Sequence, residues 1–290
     1  MGDTMDDEMV SDPLAIAPED VGKGSPIDFQ VVAHDGVLIR RFADALMDEY
    51  EAGKAAGREK VVFIVPVGPV GQFELWADHC NATGTSLADA VIINMDEYLT
   101  GEDGHFIPKS DPLSFRAHMD RAFYGRLKRD LAPPEEARVF PDPHRPDKTG
   151  ELIDRLGGVD VCFGGVGITG HLAFNDPPEP GDDMSADEFA ALPTRVLRLS
   201  RETRLINSVT AARGNIDRIP EFAVTVGMKE ILESRKVRIY MNRLWQCAIV
   251  RKLLHGPVTA TVPASLLQSH PDARVVATEP VTLRPEPELR

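Results

Sequence analysis

The chain has 290 residues, of which 42% are hydrophobic and 27% charged. With 23 glycines and 23 prolines, that composition excludes a fibrous or collagen-like chain and a wholly disordered one. The net charge of −14 disfavours nucleic acid as a partner, because no local basic patch offsets it.

Met1 to Gly24 carries Asp3, Asp6, Asp7, Glu8, Asp12, Glu19 and Asp20. It lacks a cationic start followed by an apolar stretch, so it reads as a solvated, disordered acidic tail rather than a secretory signal. Residues 25–290 are then expected to form one domain. A helix is expected over Gly36–Tyr50, where Leu38, Phe42, Leu46 and Met47 share a face. Short apolar runs follow at Val61–Pro66 and Ala90–Asn94, separated by a helical stretch at Phe73–Cys80. Phe115–Leu131 is amphipathic, with Met119, Phe123 and Leu127 in register. Further strand-like runs are Val159–Phe163, Arg195–Leu199, Phe222–Val226, Val237–Met241, Thr259–Val262 and Arg274–Ala277. A helix at Gln246–Leu254 ends before Gly256-Pro257.

Apolar strands alternating with helices predict an α/β fold: a doubly wound, largely parallel sheet with helices on both faces. No run approaches the roughly 18 apolar residues of a membrane span, so no membrane partner is expected. Cys80, Cys162 and Cys247 are far apart and odd in number, which suits a reducing cytoplasm and buried thiols. The histidines show no metal-ligand spacing, and neither a nucleophile elbow nor a nucleotide-type phosphate loop occurs.

In such sheets ligands bind at the carboxyl ends of strands. Three segments leave strands there. Asn94-Met95-Asp96-Glu97-Tyr98 places two carboxylates directly after a buried run. They read either as proton carriers in a cleft or, on spacing alone, as a helix cap followed by a first-turn glutamate. Gly164 to Asp176 holds a formal GxGxxG at Gly165, Gly167 and Gly170, but His171 and a proline-rich loop follow where a dinucleotide fold needs a long helix. His171 and Asp176, five residues apart, read either as a histidine–carboxylate acid/base unit or as a loop histidine satisfied by backbone. The third segment is Val67 to Gln72.

The ordered motifs NMDEY at 94–98 and GGVGITGHLAFN at 164–175 resemble those of the glucosamine-6-phosphate deaminase/isomerase family. The resemblance extends through DPLSF at 111–115, RETR at 201–204, FAVTVG at 222–227 and QSHP at 268–271. The wider superfamily also holds 6-phosphogluconolactonases and ribose-5-phosphate isomerases. The resemblance implies an aldose–ketose proton shuttle on a small sugar or sugar phosphate, without metal or organic cofactor. Asp96 would move a proton between C2 and C1, His171 would assist ring opening at O5, and Asp176 would support His171. It further implies substrate contacts from Glu97, Gly68, Gly167, Thr169, Gly170 and Gln246, and a phosphate contact from Arg204. Family members often oligomerise, so a homo-oligomer is an expectation for which the sequence identifies no interface.

The departures from the family cluster around phosphate and histidine support. Its Thr-Gly-Gly-Thr-Pro loop is matched by Val67-Gly68-Pro69-Val70-Gly71, which lacks both hydroxyls and one N–H. Gln246 stands where the family has a lysine, with Arg243 nearby; Thr169 replaces an aspartate, and Asp176 a glutamate. The expected function is therefore sugar isomerisation, with deamination if the sugar carries an amine, and with altered phosphate recognition. A lactonase-type hydrolase and a catalytically silent sugar-binding protein are the alternatives.

Overall fold

The computed structural model describes residues 12–286. Its centre is a seven-stranded, wholly parallel sheet. The strands are β1 (Asp28–Val32), β2 (Val61–Val65), β3 (Ala90–Asn94), β5 (Arg138–Val139), β6 (Val161–Gly164), β9 (Lys236–Met241) and β10 (Ala273–Thr278). They lie in the order β1-β10-β9-β6-β2-β3-β5. β2 and β3 are buried at every position, which explains their unbroken apolar sequence.

Helices cover both faces, as the alternation predicts. One face packs α1 (Asp35–Ala55) and α2 (Gln72–Thr83) around Phe42, Phe63, Trp76, Phe123 and Phe163. The other includes Ile153 of α4 (Asp147–Arg155), Phe189 of α5 (Ala186–Ala190), Ile231 of α7 (Met228–Leu232) and Val250 of α8 (Cys247–His255). A second sheet, antiparallel and absent from the sequence expectation, pairs β4 (Asp96–Leu99), β8 (Phe222–Thr225) and β7 (Arg195–Arg198) in the order β4-β8-β7. The runs at 195–199 and 222–226 therefore belong outside the parallel sheet.

Two other expectations are corrected. Phe115–Leu131 is not one helix. It is a short α3 (Phe115–Met119), a π-helical turn over Asp120–Tyr124 closed by Gly125 N–H on the Asp120 carbonyl, and then a turn structure. Met119, Phe123 and Leu127 are still buried together. Thr259–Val262 is a turn leading into a 3-10 helix at Pro263–Ser269, because prolines flank this four-residue run and its backbone bonds locally to Ser265.

The acidic tail also divides. Residues 1–11 lie outside the described residues, but 12–24 are folded against the body. Val21 is buried and Ile16 packs on the core. One anchor is Arg251 of α8, which has no solvent exposure. Its guanidinium donates to the carbonyls of Ile16 (3.0 Å), Cys247 (3.0 Å), Thr282 (2.7 Å) and Leu283 (2.9 Å), tying both ends of the described chain to one helix. Carbonyl acceptors replace the hydration a buried guanidinium loses.

From β2 the chain builds outward to β3 and β5, then returns beside β2 with β6 and continues the other way to β9 and β10. The reversal lies between β2 and β6, and it opens a crevice at their carboxyl ends. The candidate segments after β2, β3 and β6 all emerge there.

Candidate active site

A cleft of about 340 Å³ lies over these strand ends. The β2 loop contributes Val67, Gly68, Pro69 and Val70; the β3–β4 junction contributes Met95 and Asp96; the β6 loop contributes Gly167 and His171. Tyr98, Phe115 and Phe174 form an aromatic wall, with Tyr98 centred 4.9 Å from Phe115 and 5.6 Å from Phe174. Asn207 and Thr210 enter from α6 (Arg201–Ala211), and Arg243, Trp245 and Gln246 from the connection between β9 and α8.

Asp96 sits where the chain leaves the parallel sheet. Met95 N–H bonds the Val65 carbonyl, and Asp96 then begins β4 opposite Thr225. It is a strand residue, so the helix-cap reading is overturned. Among the described residues no donor reaches its carboxylate. Burial, and secondarily the charge of Glu97, push its pKa up to about 8.

Glu97 points elsewhere. It is fully buried and accepts from Ser114 Oγ (2.9 Å), Phe115 N (3.1 Å), Arg116 N (2.9 Å), Arg116 Nε (3.2 Å) and Tyr98 N (2.9 Å). The carboxylate thus caps the start of α3, whose first-turn N–H groups lack intrahelical partners. Glu97 is absent from the cleft lining, but it holds Phe115 there.

His171 Nδ1 lies 2.8 Å from Asp176 Oδ1. Gly167 carries its nitrogen Nε2 close overhead: a Cβ on Gly167 would stand 1.8 Å from it, so only glycine admits the ring. Asp176 also accepts from Thr169 Oγ1 (2.8 Å), Thr203 Oγ1 (2.8 Å) and Ser200 N (3.3 Å). Burial alone would raise its pKa, but His171, Thr203 and Thr169 outweigh that and hold it well below the usual carboxylate range. Asn175, fully buried, fixes the loop through Leu172 O and Val226 O, both at 2.9 Å. Thr169 and Asp176 stand behind the histidine rather than in the cleft. Gly170 makes the turn, with φ +88°, and its carbonyl accepts from Ala264 N.

The anion-binding expectations fare differently. Gln246 lines the cleft, but its amide joins Val166 O (2.7 Å) to Arg243 N (2.8 Å) and so ties two loops together. Arg204 is outside the cleft. It pairs with Glu221 (3.2 Å) and lines a neighbouring pocket with Arg198 and Arg201. Among the described residues, Arg243 is the one lysine or arginine lining the cleft. Sequence reasoning missed Thr203, Ser200, Asn207 and Trp245. Thr203 and Ser200 lay inside or beside the RETR motif, but as helix-start residues they carried no sign of their partner.

No family model matches the chain. A glucosamine-6-phosphate deaminase from a Geobacillus species is 31% identical over 210 residues, 70% of this chain and 75% of that protein. The chain belongs to the glucosamine-6-phosphate deaminase family. A second member of that family, from Cronobacter sakazakii, is 30% identical over 227 residues, covering 76% of this chain and 78% of its own length. Among solved structures, a monomeric glucosamine-6-phosphate deaminase shares the fold with a TM-score of 0.72 at 23% identity, over 89% of this chain and 100% of its own. The 6-phosphogluconolactonase of Trypanosoma brucei does so at 0.62 and 13% identity, over 88% and 97%. These solved structures thus share the fold of this chain. Among the described residues no helix is long and apolar enough to cross a membrane, and no group of three or more metal-ligating side chains occurs.

Proposed function

We propose that the chain is a sugar isomerase, and a deaminase when the sugar carries a 2-amino group, acting on a substrate whose anionic group is not held by a full phosphate cradle. The observation that carries this reading is the pair of unlike proton carriers in one cleft. Asp96 is buried, undonated and raised in pKa, and His171 is oriented by a carboxylate. A C–H base must reach two adjacent carbons, and ring opening needs a separate acid. Asp96 takes the C2 proton of the open-chain aldose and returns it to C1, while the proton on O2 (or on the C2 amine) passes to O1 across the enediol. His171 Nε2 takes the proton of the O1 hydroxyl and delivers it to the ring oxygen as the pyranose opens. With an amine on C2, the same transfer yields a ketose imine, which water cleaves to ammonia. A substrate ammonium beside Asp96 would also draw its pKa down toward neutrality.

Supporting altered phosphate recognition, the β2 loop offers Val67 and Val70 where hydroxyls would serve a phosphate and Pro69 where an N–H would, and one guanidinium, Arg243, faces the cleft. Each missing charge-assisted hydrogen bond costs about 1.5–3 kcal/mol of binding.

Proton NMR in D2O tests the reading on a panel of amino sugars and aldoses with and without a 6-phosphate. Expected is solvent deuterium at C1 or C2, reduced about 10³-fold or more in Asp96→Asn. For the free enzyme, kcat/KM rises with pH through about 8, because the base works only when ionised. Hydrolysis of a lactone without C–H exchange would instead favour the hydrolase alternative. Binding without turnover would favour the silent one.

A further inference from the structure

The first turn of α6 docks onto the carboxylate that orients His171. Ser200, its N-cap, donates its backbone N–H to Asp176 Oδ2 and caps Thr203 N with its hydroxyl. Thr203, with no solvent exposure, places Oγ1 2.8 Å from Asp176 Oδ1 and 3.2 Å from His171 Nδ1. Thr169 makes the same pair of approaches at 2.8 and 2.9 Å.

Each hydroxyl has one proton, and the geometry decides where it goes. If Thr203 or Thr169 donated to Nδ1, that nitrogen would present a lone pair 2.8 Å from a carboxylate oxygen, acceptor against acceptor. Both hydroxyls therefore donate to Asp176, and Nδ1 carries its own proton toward the same oxygen. Nε2 is then the free nitrogen, under Gly167 and toward the cleft. Asp176 has four donors gathered on it, and two of them, Ser200 and Thr203, come from one helix start.

We propose that Thr203 is a positioning residue: by donating to Asp176 from α6 it locks His171 in the Nδ1–H tautomer with Nε2 directed at the cleft. The consequence for turnover rests on the acid–base reading of His171 given above, but the tautomer does not. Thr203 is the stronger of the two threonines because its side chain has no solvent exposure, whereas Thr169 is partly exposed.

The test is a two-bond proton–nitrogen correlation spectrum of the imidazoles, with His171 assigned by the signal lost in His171→Gln, at a pH where the ring is neutral. The wild type is expected as the Nδ1–H form. Thr203→Val, which keeps the shape and removes the hydroxyl, is expected to show a mixture with the Nε2–H form; Thr203→Ser restores the wild-type pattern, and Thr169→Val gives a smaller change. With a ring-closed substrate, kcat/KM falls roughly tenfold in Thr203→Val, mainly in kcat, and recovers to within about twofold in Thr203→Ser. A Thr203→Val spectrum identical to wild type, or a wild-type ring in the Nε2–H form, overturns the proposal. If Thr203→Val does not fold, Thr203→Ala, which also removes the hydroxyl, is read in its place by the same criteria. Should no sugar be turned over, the spectra still read the tautomer, so the two readings fail separately.

Discussion

Asp96 and Asp176 are the same side chain, each largely buried and a short distance along the chain from a strand end, yet their environments drive them in opposite directions. Asp96 is buried, meets no donor among the described residues and has the charge of Glu97 beside it, so its proton is held to about pH 8. Asp176 is met by an imidazole, two hydroxyls and a backbone N–H, so it stays ionised far into acid. Burial raises both; hydrogen bonding decides. The difference suits two tasks. A base that picks up and returns a proton needs an affinity near the working pH, whereas a carboxylate that holds a histidine must keep its charge.

The sharpest way to break this contrast is to neutralise each in turn and follow stability with pH. Asp96 binds its proton more tightly folded than unfolded. Its contribution is therefore neutral below the unfolded pKa of about 4 and grows unfavourable as pH rises toward 8. Asp96→Asn should abolish exchange yet stabilise the fold, by on the order of 1–3 kcal/mol at pH 8 and by almost nothing at pH 4. Asp176 has the opposite sign. Its contribution is present above the unfolded pKa and is lost as pH falls toward its depressed folded value. Asp176→Asn should cost about 1.5–3 kcal/mol at pH 7, a penalty that shrinks in acid. Thermal melts from pH 3 to 9 check both; melting curves that shift in parallel for the two variants would remove the distinction.

Glu97 links the two halves of that contrast, since it is a buried carboxylate donated to as fully as Asp176 while its charge raises Asp96. Glu97→Gln should lower stability by about 3 kcal/mol, because an amide cannot accept from both Phe115 N and Arg116 and leaves the guanidinium under-compensated. It should also move the rising limb of kcat/KM to lower pH, since Asp96 ionises more easily without its charged neighbour. Calorimetry and a pH–rate profile read the two effects separately.

What was legible in the sequence follows the range of the interactions. β2 and β3 announce themselves because burial on both faces demands apolar residues throughout, and the reversal at β2/β6 brings the motif-bearing loops together. Asp96, His171 and Asp176 were visible as local patterns after such strands. Glu97 was visible, but its partners at 114–116 were not, so it read as a proton carrier or as the first-turn glutamate behind an Asp96 cap. Thr203 approaches Asp176 from 27 residues away and had only the look of a polar helix start. Residues 12–24 are tied down by Arg251, 235 positions beyond Ile16, and by His255 on Gly22 N. An acidic segment gives no sign that a buried guanidinium will take one of its carbonyls. Arg204 is the opposite case: the resemblance assigns it to the substrate's phosphate, while here it pairs with Glu221 and lines the next pocket.

That last contrast gives the smallest prediction and the one that locates the anionic end of the cleft. Arg204 and Arg243 stand on different elements, one tied to Glu221 outside the cleft and one lining it without an ion pair among the described residues. A guanidinium acts on a substrate anion only where it can reach it, and an arginine already paired offers little charge beyond its partner. Arg204→Ala should therefore change sugar affinity less than twofold. Arg243→Ala should weaken an anionic sugar about tenfold and leave its neutral counterpart nearly unchanged, since one charge-assisted hydrogen bond is at stake. Titration calorimetry on the Asp96→Asn background measures binding without turnover. A larger loss from Arg204→Ala would mean that the substrate's anion reaches the neighbouring pocket, and the charge at that end of the site would then have to be assigned to α6 rather than to the connection after β9.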